Sequence, residues 1–263
     1  MKRWVLVCSL ALASLGAAAQ PAQRGIPLTD LKSGTAFMSA DLRTLQADDG
    51  LNPASLWWLQ GERLWHQPAP DGPACASCHG DAASRMAGVA ARYPRVTQGG
   101  AVLNLEAQIN QCRTQHQKAP AWAYESEALL AMTAWLAKAA RGELPPSERE
   151  AKAQLSQTAS WQRGQAQYYQ RIGQMNLACA HCHEQNWGRR LGGETMSQGH
   201  PGAYPAYRLE WQGMGSLHRR LRACFSGVRA EPPAFGSQAL LDLEVFLAWR
   251  AGPLPLEAPG VRR

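Results

Sequence analysis

Two pentads carry the first chemistry in this 263-residue chain: Cys75-Ala76-Ser77-Cys78-His79 and Cys179-Ala180-His181-Cys182-His183. A Cys-x-x-Cys-His run suits covalent attachment of c-type haem. The two thiols form thioethers with the porphyrin vinyl groups, and the adjoining imidazole takes an axial position on the iron. A zinc site or a thioredoxin-like redox pair are the other uses of Cys-x-x-Cys. Zinc would require pairs about a hundred residues apart to meet in space, and neither use explains a histidine directly after both pairs. The sequence therefore predicts two covalent haems per chain. Cys75, Cys78, Cys179 and Cys182 attach them, with His79 and His183 as the first axial ligands.

The second axial position decides what such haems do. Methionine, the usual choice for electron transfer, is available at Met86, Met196 and Met214, but none recurs at an equivalent place after both motifs. Cysteine does recur. Cys112 follows His79 by 33 residues and Cys224 follows His183 by 41, which implies an insertion of about eight residues in the second half. A disulfide between Cys112 and Cys224 is the competing use of two thiols in an oxidising compartment. Duplication favours a cysteine beside each motif, giving His/Cys ligation at both irons and low potentials.

The two neighbourhoods differ. Leu217-His218-Arg219-Arg220-Leu221-Arg222 is the densest basic cluster in the chain, and on a helix Arg220 lies one turn before Cys224. Gln108 holds the matching place before Cys112. A guanidinium beside a thiolate lowers its pKa and offers a two-pronged site for a sulfur oxyanion. Binding of a haem propionate is the competing use of Arg219, Arg220 or Arg222. The asymmetry makes the second haem the reactive one and the first structural or electron-relaying.

The elements that must position these residues also repeat. Gly61-Glu62 and Gly164-Gln165 precede the two motifs by similar intervals in short helices, and Tyr93-Pro94 and Tyr204-Pro205 follow them. Each half ends in one clear helix. Ser126-Glu127-Ala128-Leu129-Leu130 and Ser237-Gln238-Ala239-Leu240-Leu241 align, each Ser a candidate N-cap. The first helix should end near Arg141 before Gly142, and the second near Arg250 before Gly252. Leu129, Met132 and Leu136, and Leu240, Leu243 and Leu247, form buried stripes at helical spacing. With no long strand-like alternation, the prediction is a mainly α fold of two tandem cytochrome-c-like domains related by an internal repeat, over residues 56–145 and 146–263 and joined near Gly142-Glu143-Leu144-Pro145-Pro146. An arm over residues 20–55 precedes them.

Lys2, Arg3, the apolar run Trp4–Leu15 and Ala17-Ala18-Ala19 read as a signal peptide over residues 1–19 that removes Cys8. No later apolar stretch is long enough for a membrane anchor. The expectation is a soluble periplasmic protein. Ten tryptophans suit packing against porphyrin, although core filling explains most of them. The net charge of +7 is offset in part by haem propionates and is scattered, which favours an anionic partner over nucleic acid.

Asn176-Leu177-Ala178 with the second pentad, Gln198-Gly199-His200-Pro201, Tyr204 to Gln212 and Gly215 to Arg220 closely resemble the di-haem SoxA subunits of the SoxAX cytochromes of bacterial thiosulfate oxidation. So do Asn104-Leu105-Glu106, Ile109 to Arg113 and Ala123 to Glu127 in the first half. The resemblance runs from about residue 30 to 250. It implies an L-cysteine S-thiosulfotransferase that joins thiosulfate oxidatively to a cysteine of the SoxYZ carrier, passing two electrons to a small cytochrome c. It further implies axial ligands His79 and Cys112 for the first haem and His183 and Cys224 for the second. Cys224 would be the catalytic persulfide, Arg220 the substrate-binding arginine, and a mono-haem SoxX-type subunit the partner in a heterodimer. A tetrathionate-forming thiosulfate dehydrogenase and a plain di-haem electron carrier are the rival readings. A di-haem peroxidase fits less well, because it needs an open iron.

Overall fold

Two glycines fix how the helices cross. A Cβ at Gly61 would overlap the Ala131 carbonyl and lie 2.6 Å from Trp135 Cβ; one at Gly164 would overlap the Asp242 carbonyl and lie 2.9 Å from Phe246 Cβ. Ala131 and Asp242 each stand five residues after the serine that opens their helix, Ser126 or Ser237, so the two crossings are copies of one another. Only a residue without a side chain lets backbones approach this closely. In this computed structural model, which describes residues 24–263 apart from Glu143, the crossings belong to α2 (Ser55–His66) with α6 (Glu127–Ala139) and α8 (Ala159–Tyr169) with α11 (Gln238–Ala251). Trp58, Gly61 and Trp65 are buried on α2 at the same spacing as Trp161, Gly164 and Tyr168 on α8. The leader expected over residues 1–19 and the first residues of the arm lie outside the described residues.

The other helices are α1 (Ala40–Ala47), α3 (Cys75–His79), α4 (Ala82–Arg85), α5 (Leu105–Gln115), α7 (Pro146–Gln154), α9 (Cys179–His183) and α10 (Leu217–Gly227). The fold is mainly helical, with tandem units as expected. Both final helices start at the predicted serines. Ser126 caps α6 by accepting from Leu129 N, whereas the Ser237 hydroxyl caps nothing and is buried without a partner among the described residues. α6 ends at Ala139, two residues short of the expected end, and Gly142 turns the chain at φ +119°. The Leu129/Met132/Leu136 and Leu240/Leu243/Leu247 stripes are buried.

Strands are present but only two or three residues long, too short for any alternation to be read. β1 (Arg95–Val96) pairs with β2 (Val102–Leu103), and β3 (Arg190–Leu191) with β4 (Glu194–Thr195), each antiparallel. The β3–β4 hairpin takes up most of the insertion in the second half. β5 (Ala206–Arg208) lies between antiparallel β6 (Gly213–Gly215) and parallel β7 (Gly260–Arg262).

The two halves exchange core residues. Val102 from the first half is buried with Trp161, Tyr168, Phe246 and Trp249 of the second. Met214 of the second half joins Trp58, Leu130 and Ala134 of the first. Between the halves lies a cavity of about 90 Å³ lined by repeat mates: Tyr93 and Tyr204, Pro94 and Pro205, Leu105 and Leu217.

The arm, which sequence alone left unplaced, wraps the second half. Lys32 N donates to Gln198 Oε1 at 2.8 Å, and Gln198 Nε2 donates to Asp30 O at 2.9 Å. Gln46 of α1 accepts from Val261 N of β7 at 3.0 Å. Among the described residues, no helix is long and apolar enough to cross a membrane.

Candidate functional site

Each pentad forms a single helical turn, α3 or α9, which presents both thiols and the terminal histidine together. Opposite stands an eleven-residue helix, α5 or α10, opened by a side-chain cap: Asn104 accepts from Ala107 N, and Ser216 from Arg219 N. The eighth residue of α5 is Cys112 and the eighth of α10 is Cys224. The fourth is Gln108 in one and Arg220 in the other. The third cysteine of each half is thus delivered to its own motif. Burial raises the Cys75 thiol pKa, and Cys112 lies near enough to influence it through charge. Burial pushes Cys179 up to about 12, and Cys224 acts on both Cys179 and Cys182 in the same way. All six described cysteines are unpaired, so Cys112 and Cys224 do not form the competing disulfide.

The residues fit a covalently held haem. His183 Nδ1 stands 2.8 Å from the Ser197 carbonyl, which only accepts. The ring proton therefore sits on Nδ1, and the Nε2 lone pair is free for a metal. Burial, with smaller effects from Arg250 and Arg220, pushes the His183 pKa down to about 4, so the imidazole is neutral at physiological pH. A Cβ at Gly199 would come within 2.7 Å of this ring, and Gly199 itself has φ +73°, so glycine is needed there twice over. Tyr168 Oη and Trp161 Nε1 on α8 are buried without a partner among the described residues, as groups beside a polar ligand edge would be. The first site is more open: Cys78 and His79 are exposed, and the Trp65 ring lies 5.7 Å from the His79 ring.

Of the methionine candidates, Met214 is buried in the core beside Trp58, Met86 packs on the cluster that also holds Cys75 of the first pentad, and the Met196 backbone bonds to Arg189 beside the hairpin.

Electrostatics separates the two cysteine helices. Gln108 Nε2 donates to Cys112 Sγ at 3.4 Å, while its own oxygen accepts from Arg95 at 3.0 Å. In the second half, Arg219 donates to Met214 O, faces Glu125 at 4.0 Å and stacks 4.3 Å over Trp211. Arg222 donates to the carbonyls of Pro232 and Pro233 and covers the Phe235 ring. Arg220 is half-buried, and its guanidinium meets no hydrogen-bond or ion-pair partner among the described residues. Burial disfavours the cation, yet the Cys224 sulfur, with Tyr204, Glu194 and Glu210, holds its pKa above the ordinary value. A free, fully charged fork beside a thiol is a receptor for a small oxyanion.

Sequence reasoning missed Ser197, Gly199 and Arg250 as parts of this site. Arg250 read only as the end of a helix; a cation within an otherwise apolar helix face was the available signal.

The geometry agrees with known proteins. A family model described as "SoxA/TsdA, cytochrome c domain" matches residues 60–144. An L-cysteine S-thiosulfotransferase subunit SoxA from Pseudaminobacter salicylatoxidans is 36% identical over 244 residues, covering 92% of this chain and 84% of the relative. The SoxA subunit from Rhodovulum sulfidophilum is 34% identical over 244 residues, with the same coverage. The crystal structure of SoxXA from P. pantotrophus superposes with a TM-score of 0.78 at 30% identity, over 89% of this chain and 87% of that one. With this identity across nearly the whole length, and a Cys-x-x-Cys-His turn followed by a cysteine-bearing helix in each half, the chain belongs to the SoxA family of L-cysteine S-thiosulfotransferase subunits.

Proposed function

We propose that the chain carries two c-type haems, one in residues 56–145 and one in residues 146–263, and that thiosulfate is joined to a carrier cysteine at the second. Cys75 and Cys78 would hold the first haem, with His79 and Cys112 as its iron ligands. Cys179 and Cys182 would hold the second, with His183 and Cys224 as its iron ligands. The observation that carries this reading is the uncommitted Arg220 guanidinium beside Cys224, where the first site has the neutral Gln108.

Thiosulfate is a small dianion. Arg220 binds its sulfonate oxygens by two parallel hydrogen bonds and turns the terminal sulfur toward Cys224. Cys224 holds sulfur as a persulfide during turnover, which places an exchangeable sulfur–sulfur bond in the site. When bound, haem supplies a one-electron acceptor next to that sulfur. The net change balances. The carrier thiol loses its proton, one sulfur–sulfur bond forms between carrier and thiosulfate, and two electrons leave toward a small cytochrome c. The carrier is a SoxYZ-type protein, a SoxX-type mono-haem subunit completes a heterodimer, and the complex works in the periplasm.

Intact mass of the mature chain counts the haems and detects an added sulfur on Cys224. Incubation with thiosulfate, carrier and oxidised cytochrome c should raise the carrier mass by one thiosulfonate group per two electrons. Release of tetrathionate with unmodified carrier would overturn the reading in favour of a thiosulfate dehydrogenase, and turnover of cytochrome without either product would favour a plain electron carrier.

A further inference from the structure

Arg250 has no part in the chemistry above, yet it heads the fully buried side chains among the described residues, at 0% exposure. Burying a guanidinium is unfavourable unless every prong is used. Here the prongs converge on the second motif. Nη2 donates to the His183 carbonyl at 3.1 Å, Nη1 to the Gln198 carbonyl, and Nε faces Glu184 Oε1 at 3.4 Å. The guanidinium also lies 5.0 Å over the Tyr168 ring.

These two carbonyls bracket everything that orients the imidazole. His183 is the ligand itself; Ser197, whose carbonyl accepts from its Nδ1–H, and Gly199, which packs on its face, stand on either side of Gln198. One fork thus ties the ligand's backbone to the backbone that sets its ring. The arm closes over the same group. Gly25 presses on the Glu184 carboxylate, where any Cβ would overlap it, and Lys32 N and Asp30 O grip the Gln198 amide. Among the described residues the first site has no counterpart. Thirteen residues after its opening serine, α6 has Ala139 where α11 has Arg250, and the turn after α3 is held by Trp65 Nε1 donating to Gly80 O at 2.9 Å.

We propose that Arg250 is a positioning residue that locks the His183 imidazole in one orientation, and that the arm from Gly25 to Lys32 is part of the lock. The inference rests on the reading of His183 as an iron ligand. It predicts one axial geometry at the second haem and a looser one at the first.

The test uses the haem-loaded full chain with Arg250→Gln, Arg250→Lys and Gln198→Ala. Haem content is counted by the pyridine haemochrome method, the ferric haems are observed by low-temperature EPR, and potentials by spectroelectrochemical titration. Arg250→Gln should keep both haems, while the second haem's low-spin signal splits into several species and the first haem's stays fixed. Its potential should fall, because loss of a nearby cation favours the ferric state. Arg250→Lys should keep the split signal with a smaller fall in potential, since it retains charge but not the fork. Gln198→Ala, which loosens the arm and leaves the cation in place, should broaden the same signal, and it decides the matter if the Arg250 variants do not fold. An unchanged, single second-haem signal in these variants would overturn the lock. A wild-type chain with no haem on Cys179 and Cys182, read by peptide mass mapping, would instead overturn the underlying reading of His183.

Discussion

One turn before Cys112 an amide reaches toward the sulfur; one turn before Cys224 a guanidinium stands free. The backbones that deliver these residues are copies, with cap, helix length and cysteine position the same. The second site is also enclosed, with His183 half-buried where His79 is exposed. The repeat therefore gives two equivalent frames, and a few side chains set one of them apart from the other. Function in this molecule lives in the departures from the repeat.

The comparison breaks first at the cysteines. Cys224→Met should keep both haems but cut carrier conjugation by at least about three orders of magnitude, the scale seen when a reacting group is removed. Cys112→Met should cost less than about tenfold, since it alters only a relaying site. Equal losses in carrier mass shift would erase the distinction. Next, Arg220→Ala should weaken thiosulfate use by about 2 kcal/mol, roughly thirtyfold in kcat/KM. Arg220→Lys should recover only part of this, and Gln108→Arg should confer no conjugation on the first site. Where the halves are alike, their variants should be alike too. Gly61→Ala and Gly164→Ala each meet a backbone carbonyl that no rotamer change relieves, so each should lower stability by about 1–3 kcal/mol in denaturant titration.

The smallest effect concerns the second residue of each cysteine helix, Glu106 in one and His218 in the other. Burial, with Glu244 next, pushes the Glu106 pKa up to about 7 from 4.5. The folded state then holds a proton that the unfolded state has released, so this group's contribution to stability falls as pH rises from about 4.5 to about 7. His218 faces Glu244 at 3.2 Å and has a raised pKa despite its burial, so it acts in the same direction at slightly higher pH. Lys152, pushed down to about 8 by burial, adds a rise in stability only above that pH. Glu106→Gln should flatten the acid side of the profile, measured as the denaturant midpoint at pH 5 and pH 7.

Much of this was legible because it is written in local spacing. The pentads, the repeated cysteines, the opening serines and the final helices need only neighbours in sequence, and Arg220 emerged by aligning one half with the other. What stayed hidden depends on distant contacts. Arg250 reads as a helix end until His183, Glu184 and Gln198 surround it, and the arm is placed by hydrogen bonds to Gln198 and by isolated apolar anchors such as Ile26, with no periodic stripe to read. The three-residue strands escaped notice because pairing, not residue pattern, defines them.

The traffic of side chains between the halves has a thermodynamic consequence. Val102 fills the second half's core and Met214 joins the first half's Trp58 cluster, so neither half can lose its packing without opening the other. Heating should give one transition in calorimetry, with a calorimetric enthalpy matching the van't Hoff value, in place of two resolved melts. A chain built from two similar modules would then behave as a single cooperative unit, and its two halves would survive or fail together.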